Sequence, residues 1–316
     1  MIYVGDRTKS LRDASLASIP LPFDRMFYPY GFPVQIKSNH PAVMKVAGQS
    51  WAAVQQSFQE TPIELRISVS KHTNRRCPPA PVLHVQHHLL IMMANSKNFA
   101  TCDLSGGFGS AWLTKTAVNN SGYLRYHFVE AMAYTLLESL HLVTIRAACV
   151  AKSGQGVLLM EEPRPGKLSL ASACARRGWT SISDEASCLV RRQTERVVIG
   201  NPPLPDARSD AGTPFSEQQR ALPDQRIAQT STVDYLVFAR RANVQTGSAH
   251  LLPVSRHEAR SRLLSDICSF ESPVREEQST TVERLLQAYV GEMSYSDVDA
   301  AIDLLEQLLR RRPVQR

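Results

Sequence analysis

The sequence predicts an α/β fold, and three observations lead there. Short stretches of period-two alternation crowd the first third of the chain. One apolar strand then passes through a loop containing Pro and Gly into a helix and a further strand, and helical patterns dominate the C-terminal end.

Residues 1 to about 33 hold Ile19-Pro20-Leu21-Pro22-Phe23 and Phe27-Tyr28-Pro29-Tyr30-Gly31-Phe32-Pro33, which favours an extended or turn-rich arm. Residues 41 to 58 read as a helix. Ile63-Glu64-Leu65-Arg66-Ile67-Ser68-Val69 alternates as a half-buried strand does, and further strands are expected near 82 to 93, 98 to 103 and 110 to 116. Together these form an N-terminal β-rich layer. The pattern from Tyr123 to about His141 is helical, and Leu142-Val143-Thr144-Ile145 leads towards Cys149-Val150 as one strand.

After the turn Lys152-Ser153-Gly154-Gln155 comes the strand Gly156-Val157-Leu158-Leu159-Met160, and then a loop from Glu161 to Gly166. A helix over 167 to 177 ends at Gly178, and Thr180 to Asp184 forms the next strand. Strand, loop, helix and strand make a βαβ unit, with parallel strands and a right-handed connection. From Gly200 to about Thr232 the chain is rich in Pro, Asp, Gln, Ser and Arg, and is expected to be a long surface loop or partly disordered. A strand at Val233 to Phe238 and helices near 255 to 267, 279 to 290 and 296 to 311 complete the chain. Two regions follow, an α+β region over 1–120 and a larger one over 121–316 that contains the βαβ unit and the 200–232 loop.

Composition narrows the function classes. Hydrophobic residues at 43% and charged residues at 21% are ordinary for a globular protein, so wholesale disorder is excluded. The net charge of +7 is diffuse, and its tight runs (Arg75-Arg76, Arg191-Arg192, Arg240-Arg241, Arg310-Arg311-Arg312) lack the interleaved aromatics of a stacking platform, which argues against nucleic acid. The cysteines are scattered without metal-ligand spacing, no signal pattern opens the chain and no apolar run is long enough for a membrane span. A reduced, cytoplasmic protein with no metal site is expected.

The chemistry-bearing pair is Gly166-Lys167. It follows an apolar strand, opens a helix and precedes Asp184 at the end of the next strand. In a phosphate-binding loop, glycines let the backbone approach the phosphates and successive N–H groups cradle them. The lysine neutralises charge and an adjacent hydroxyl holds magnesium. A carboxylate ending the neighbouring strand can then act on metal or nucleophile.

Leu158-Leu159, Gly166-Lys167, Leu170-Ala171, Arg177-Gly178-Trp179 and Ser183-Asp184-Glu185 resemble the HPr kinase/phosphorylase type of P-loop. The resemblance continues through Ile199-Gly200-Asn201-Pro202, Phe238-Ala239-Arg240 and the segment from Tyr295 to Leu305, with Ser38-Asn39-His40-Pro41 as a weaker match. It covers roughly residues 120 to 311. It implies a P-loop core of the HPr-kinase/PEP-carboxykinase type, ATP and magnesium as cofactors, and a small protein or modified peptide as partner. It leaves an oligomer open. It also implies Asp184 and Arg146 as catalytic residues, with Gly166, Lys167, Ser169 and Glu185 binding the cofactor.

The chain departs from that pattern in the loop itself. The first loop glycine falls on Glu161, a middle glycine on Arg164 and the magnesium-binding hydroxyl on Leu168, with Ser169 one position late. Pro163 and Pro165 lack N–H groups. Arg146 stands where the family has a histidine. A carboxylate about 4 Å from a phosphate charge costs roughly 4 kcal/mol at an effective dielectric near 20, about three decades of affinity. Weak or absent ATP and magnesium binding is therefore expected, in a pseudokinase or regulatory binding protein. The alternative is an active ATP-dependent serine kinase with Asp184 as base, Lys167 on the phosphates and Arg146 stabilising charge.

Other motifs read blandly. His84, His87 and His88 lie in a strand segment without carboxylates, Ser105 to Ser110 is a hairpin turn and no G-x-S-x-G elbow exists for a serine hydrolase. The final helix is amphipathic packing with a solvated Arg tail.

Overall fold

The computed structural model describes residues 19–73, 75–161, 170–184, 186–200, 226–242, 248–267 and 272–310. They form a mixed α/β protein with two sheets, and the chain divides by contact into Met1–Leu140 and His141–Arg316. Among the described residues no helix is long and apolar enough to cross a membrane.

In the first unit the elements run β1 (Phe23–Phe27), a 3-10 turn at Pro29–Gly31, β2 (Val34–Ser38), α1 (Pro41–Trp51), β3 (Ile63–Ser70), β4 (Val82–Gln86), β5 (Leu89–Asn95), β6 (Asn98–Asp103) and β7 (Phe108–Thr114). Then come α2 (Lys115–Asn119), α3 (Ser121–Leu124), a π-helical turn at Arg125–Glu130 and α4 (Ala131–Leu140). The sheet order is β1-β2-β3-β7-β6-β5-β4. The central β2, β3 and β7 are mutually parallel, and the flanks are antiparallel.

The alternation in β3 has the expected consequence. Ile63, Leu65 and Ile67 are buried, while Glu64 on the other face pairs with Lys37 at 3.5 Å and with Arg66 at 3.2 Å. The helix expected over 41–58 stops at Trp51, because the amides of Ser57 and Phe58 turn away to the carbonyl of Gly31, at 2.9 and 3.1 Å. The arm expected at the N-terminus contains the strand β1, and its residues 1–18 lie outside the described part. The hairpin turn expected at 105–110 links β6 to β7.

The segment 121–140, expected with the second region, belongs by contact to the first. Ser139 donates to the carbonyl of Leu104 at 2.9 Å, the Trp51 indole donates to Tyr134 at 3.1 Å, and Phe128, Met132 and Leu136 are buried.

The second unit runs β8 (Leu142–Ile145), β9 (Ala148–Lys152), β10 (Gln155–Glu161), α5 (Leu170–Arg176), β11 (Thr180–Ser183), β12 (Ser187–Val190), β13 (Val197–Ile199) and β14 (Thr230–Arg241). It ends with β15 (Ala249–Pro253), α6 (Arg256–Asp266), α7 (Ser272–Leu285), β16 (Tyr289–Tyr295) and α8 (Val298–Arg310). The path is β11-β9-β10-β14-β13-β12-β8, with β16 beside β14 and β15 beside β16.

This sheet is buried on both faces. Val157 and Leu159 face a core with Leu170 and Cys174 of α5 and with Ala301, Ile302 and Leu305 of α8. Leu158 and Leu236 face the opposite core with Ala259 and Leu263 of α6 and with Val282 and Leu285 of α7. A strand covered on both sides reads as an unbroken apolar run, as 157–159 does.

Several sequence expectations change here. The single strand expected from Leu142 to Val150 is two strands broken at a bend on Arg146, because β8 pairs with β12 while β9 pairs with β10 and β11. The helix expected over 279–290 ends at Leu285, and Tyr289–Tyr295 joins the sheet parallel to β14. Of the long loop expected over 200–232, positions 201–225 lie outside the described residues and β14 already begins at Thr230.

Candidate functional site

The strand before the expected loop and the strand after the helix, β10 and β11, are parallel but not neighbours. Both pair antiparallel with β9, which lies between them. The registers decide what meets at the end of this trio. The last β9–β10 rung is Leu159 opposite Ala148, and two residues beyond it stand Glu161 and Arg146. The last β11–β9 rung is Ser183 opposite Cys149, with Asp184 the next residue along. The carboxyl ends of β10 and β11 and the start of β9 therefore bring Glu161, Arg146 and Asp184 to one edge of the sheet. That edge is where open α/β sheets place their ligands.

Arg146 is exposed in the bend between β8 and β9, and no ion pair among the described residues engages it. Asp184 is half-buried. Gly166, Lys167, Ser169 and Glu185 lie outside the described residues.

Glu161 is the best-defined side chain at this edge. Its Oε1 accepts the Leu170 backbone N–H, in α5, at 2.7 Å. Burial raises its pKa above the ordinary carboxylate value, and the Leu170 amide pulls the other way. The carboxylate's charge also adds to burial in pushing the Cys174 thiol up to about 12.

Sequence reasoning missed a hydroxyl relay behind Asp184. The Cys149 N–H donates to Ser183 Oγ at 3.0 Å, Ser183 and Ser187 Oγ lie 2.6 Å apart, and Ser187 Oγ donates to the Ala147 carbonyl at 2.9 Å. Each hydroxyl has one proton, so the order is fixed: Ser183 donates to Ser187. All of these atoms are buried, and the relay ties the corner around Asp184 to the first residues of β9. Two serines four apart were the only signal, and they are too common to stand out.

Most of the family-like motif residues do structural work. Gly178 sits at φ +81 as the left-handed stop of α5, Trp179 is fully buried, and Arg177 pairs with Asp303 of α8 at 2.7 Å. Gly200 passes so close to β11 that an added Cβ would lie 1.7 Å from the Ile182 carbonyl oxygen, so only glycine fits. Phe238 carries the Arg262 guanidinium 4.8 Å from its ring, and Asp297 caps α8 through the Ala300 amide at 2.8 Å.

No protein-family model matches the sequence, and no curated protein matches it. Among solved structures, the chain is similar to the HPr(Ser) kinase/phosphatase from Coxiella burnetii. The identity is 13% and the TM-score 0.28, over 53% of this chain and 93% of that one.

Proposed function

We propose that this chain is a degenerate relative of the HPr kinases that binds or regulates a small protein or peptide in the cytoplasm and is not an efficient phosphotransferase. The observation that carries the reading is Glu161. At the position of the family's first loop glycine stands a carboxylate, and it is turned onto a backbone amide of α5, that of Leu170, which puts its negative charge beside the loop. These residues do not fit a nucleotide phosphate: the Glu161 charge repels it, and Leu168 offers magnesium no oxygen. Arg146 stands exposed at the same edge as a cation that a partner could meet.

Calorimetric titration with Mg-ATP tests this. The wild-type chain is expected to show no binding at micromolar concentrations. Micromolar, magnesium-dependent binding that disappears in Lys167→Ala would sink the proposal.

A second reading, an active ATP-dependent serine kinase of a small carrier protein or modified peptide, draws support from the convergence of Arg146 and Asp184. In it Asp184 is the base, Lys167 holds the phosphates and Arg146 stabilises developing charge. It requires labelled phosphate to pass from ATP to a protein or peptide, and this transfer to be lost in Asp184→Asn.

A further inference from the structure

The parallel strands β2, β3 and β7 of the first unit end at a common edge, where the chain segments 38–41, 71–81, 95–98 and 114–120 emerge. These segments carry Lys71, Arg75, Arg76, Lys97 and Lys115 and contain no Asp or Glu. The opposite ends of the same strands have Glu60, Glu64 and Asp103 close at hand in sequence. An edge with cations only is a local accumulation of unbalanced charge.

One side-chain contact, one backbone hydrogen bond and one electrostatic influence link four of its residues. Lys97 Nζ donates to His72 Nε2, and the Lys115 amide donates to the His72 carbonyl at 3.0 Å. Lys115 also lies near enough to His40 to act, after burial, in lowering that ring's pKa. The hydrogen bonds fix which nitrogen of each neutral ring carries the proton. His40 Nδ1 accepts the Ala42 amide at 3.3 Å, which leaves Nε2 carrying the proton. His72 Nε2 accepts from Lys97, which leaves its Nδ1 as the donor. No ion pair among the described residues engages Lys97 or Lys115. The cluster therefore offers two ammonium groups and two imidazole N–H donors, and no carboxylate.

We propose that this carboxyl edge of β2, β3 and β7 is a binding site for a phosphate group, free or carried on a side chain, held by His40, His72, Lys97 and Lys115. Several donors around a cationic centre match a tetrahedral oxyanion with several acceptor oxygens. The edge also has the position at which parallel strands receive ligands. The site lies wholly within Met1–Leu140, so its failure would leave the reading of Glu161 and Asp184 untouched.

The test uses the full chain and two probes: orthophosphate, followed by phosphorus NMR line broadening, and a labelled Gly/Ser peptide bearing one phosphoserine, followed by fluorescence anisotropy. Saturable binding is expected for at least one probe. Lys97→Ala and Lys115→Ala should each weaken it by about tenfold, the loss of one hydrogen bond to a charged group. Lys45→Ala, at an exposed position on α1, should leave binding unchanged. A phosphopeptide that binds more tightly than orthophosphate assigns the site to phosphorylated side chains, and the reverse assigns it to free phosphate. The proposal is overturned if neither probe saturates in the millimolar range, if the unphosphorylated peptide binds as well, or if Lys45→Ala weakens binding as much as the other two. Unchanged melting temperatures of the lysine variants separate lost binding from lost folding.

Discussion

The two sheets solve the problem of burial differently. In the first unit Glu64, Arg66 and Lys37 occupy a half-buried, charged face of the sheet, while Ile63, Leu65 and Ile67 fill the other. In the second, adjacent residues of β10 enter opposite cores, Leu158 with α6 and α7, Val157 and Leu159 with α5 and α8. A sheet with one charged, half-buried face tolerates more change on that face, whereas one with two apolar cores has no neutral position along its central strands.

Thermal or urea unfolding can break that comparison, starting from its largest contrast. Leu158→Ala, in the doubly covered strand, should cost about 2–5 kcal/mol through lost burial and the cavity left behind. Gly200→Ala should cost about 1–3 kcal/mol, because its Cβ must displace the Ile182 carbonyl or the turn itself. Ser187→Ala should cost about 1–3 kcal/mol, since it leaves the Ser183 proton and the Ala147 carbonyl without their buried partner. Arg66→Ala, on the half-buried charged face of the first sheet, should cost no more than about 1 kcal/mol. A Leu158→Ala effect no larger than that of Arg66→Ala would remove the distinction between the sheets.

Titration sharpens the same comparison. Among the described residues, burial raises the pKa of the half-buried Glu130 in the first unit and of Glu161 in the second. A raised folded-state pKa stabilises the fold fully below the ordinary value of 4.5, and that contribution is lost as pH rises through the raised value. Glu161→Gln keeps an oxygen for the Leu170 amide and removes the titration. Its stability should therefore decline less than wild type over that rise, as measured by melting temperature against pH. An unchanged slope would show that Glu161 does not titrate abnormally. In Glu130 the Ser50 hydrogen bond at 2.6 Å and the Arg125 charge oppose burial, so Glu130→Gln should change the slope in the same direction.

How far these features could be read in the sequence followed from how local their causes are. The alternation of Ile63 to Val69 and the stop at Gly178 are written in neighbouring residues. The break at Arg146 has no Gly or Pro to announce it, because pairing of β8 and β9 with different distant strands imposes it. The helix expected to reach 290 stops at Leu285, and Tyr289–Tyr295 is a strand because its parallel pairing with β14 overrides local preference at Tyr289 and Val290. The strands β12 and β13, of four and three residues, are too short to show a period. At the candidate site, Arg146 and Asp184 were identified by their places in a motif, but their meeting with Glu161 at one edge depends on a strand that lies between two others. The bond from Glu161 to Leu170 could not be read at all, since nothing in the residue types says which way that carboxylate turns.

The position of β9 has a consequence for motion. It is hydrogen-bonded along both edges, to β10 on one side and β11 on the other. Its amides should be among the slowest in the second unit to exchange with deuterium, opening only when the sheet as a whole comes apart. Arg146 is thus mounted at the end of a clamped strand. The backbone next to it is thereby a fixed reference for whatever stands at this edge.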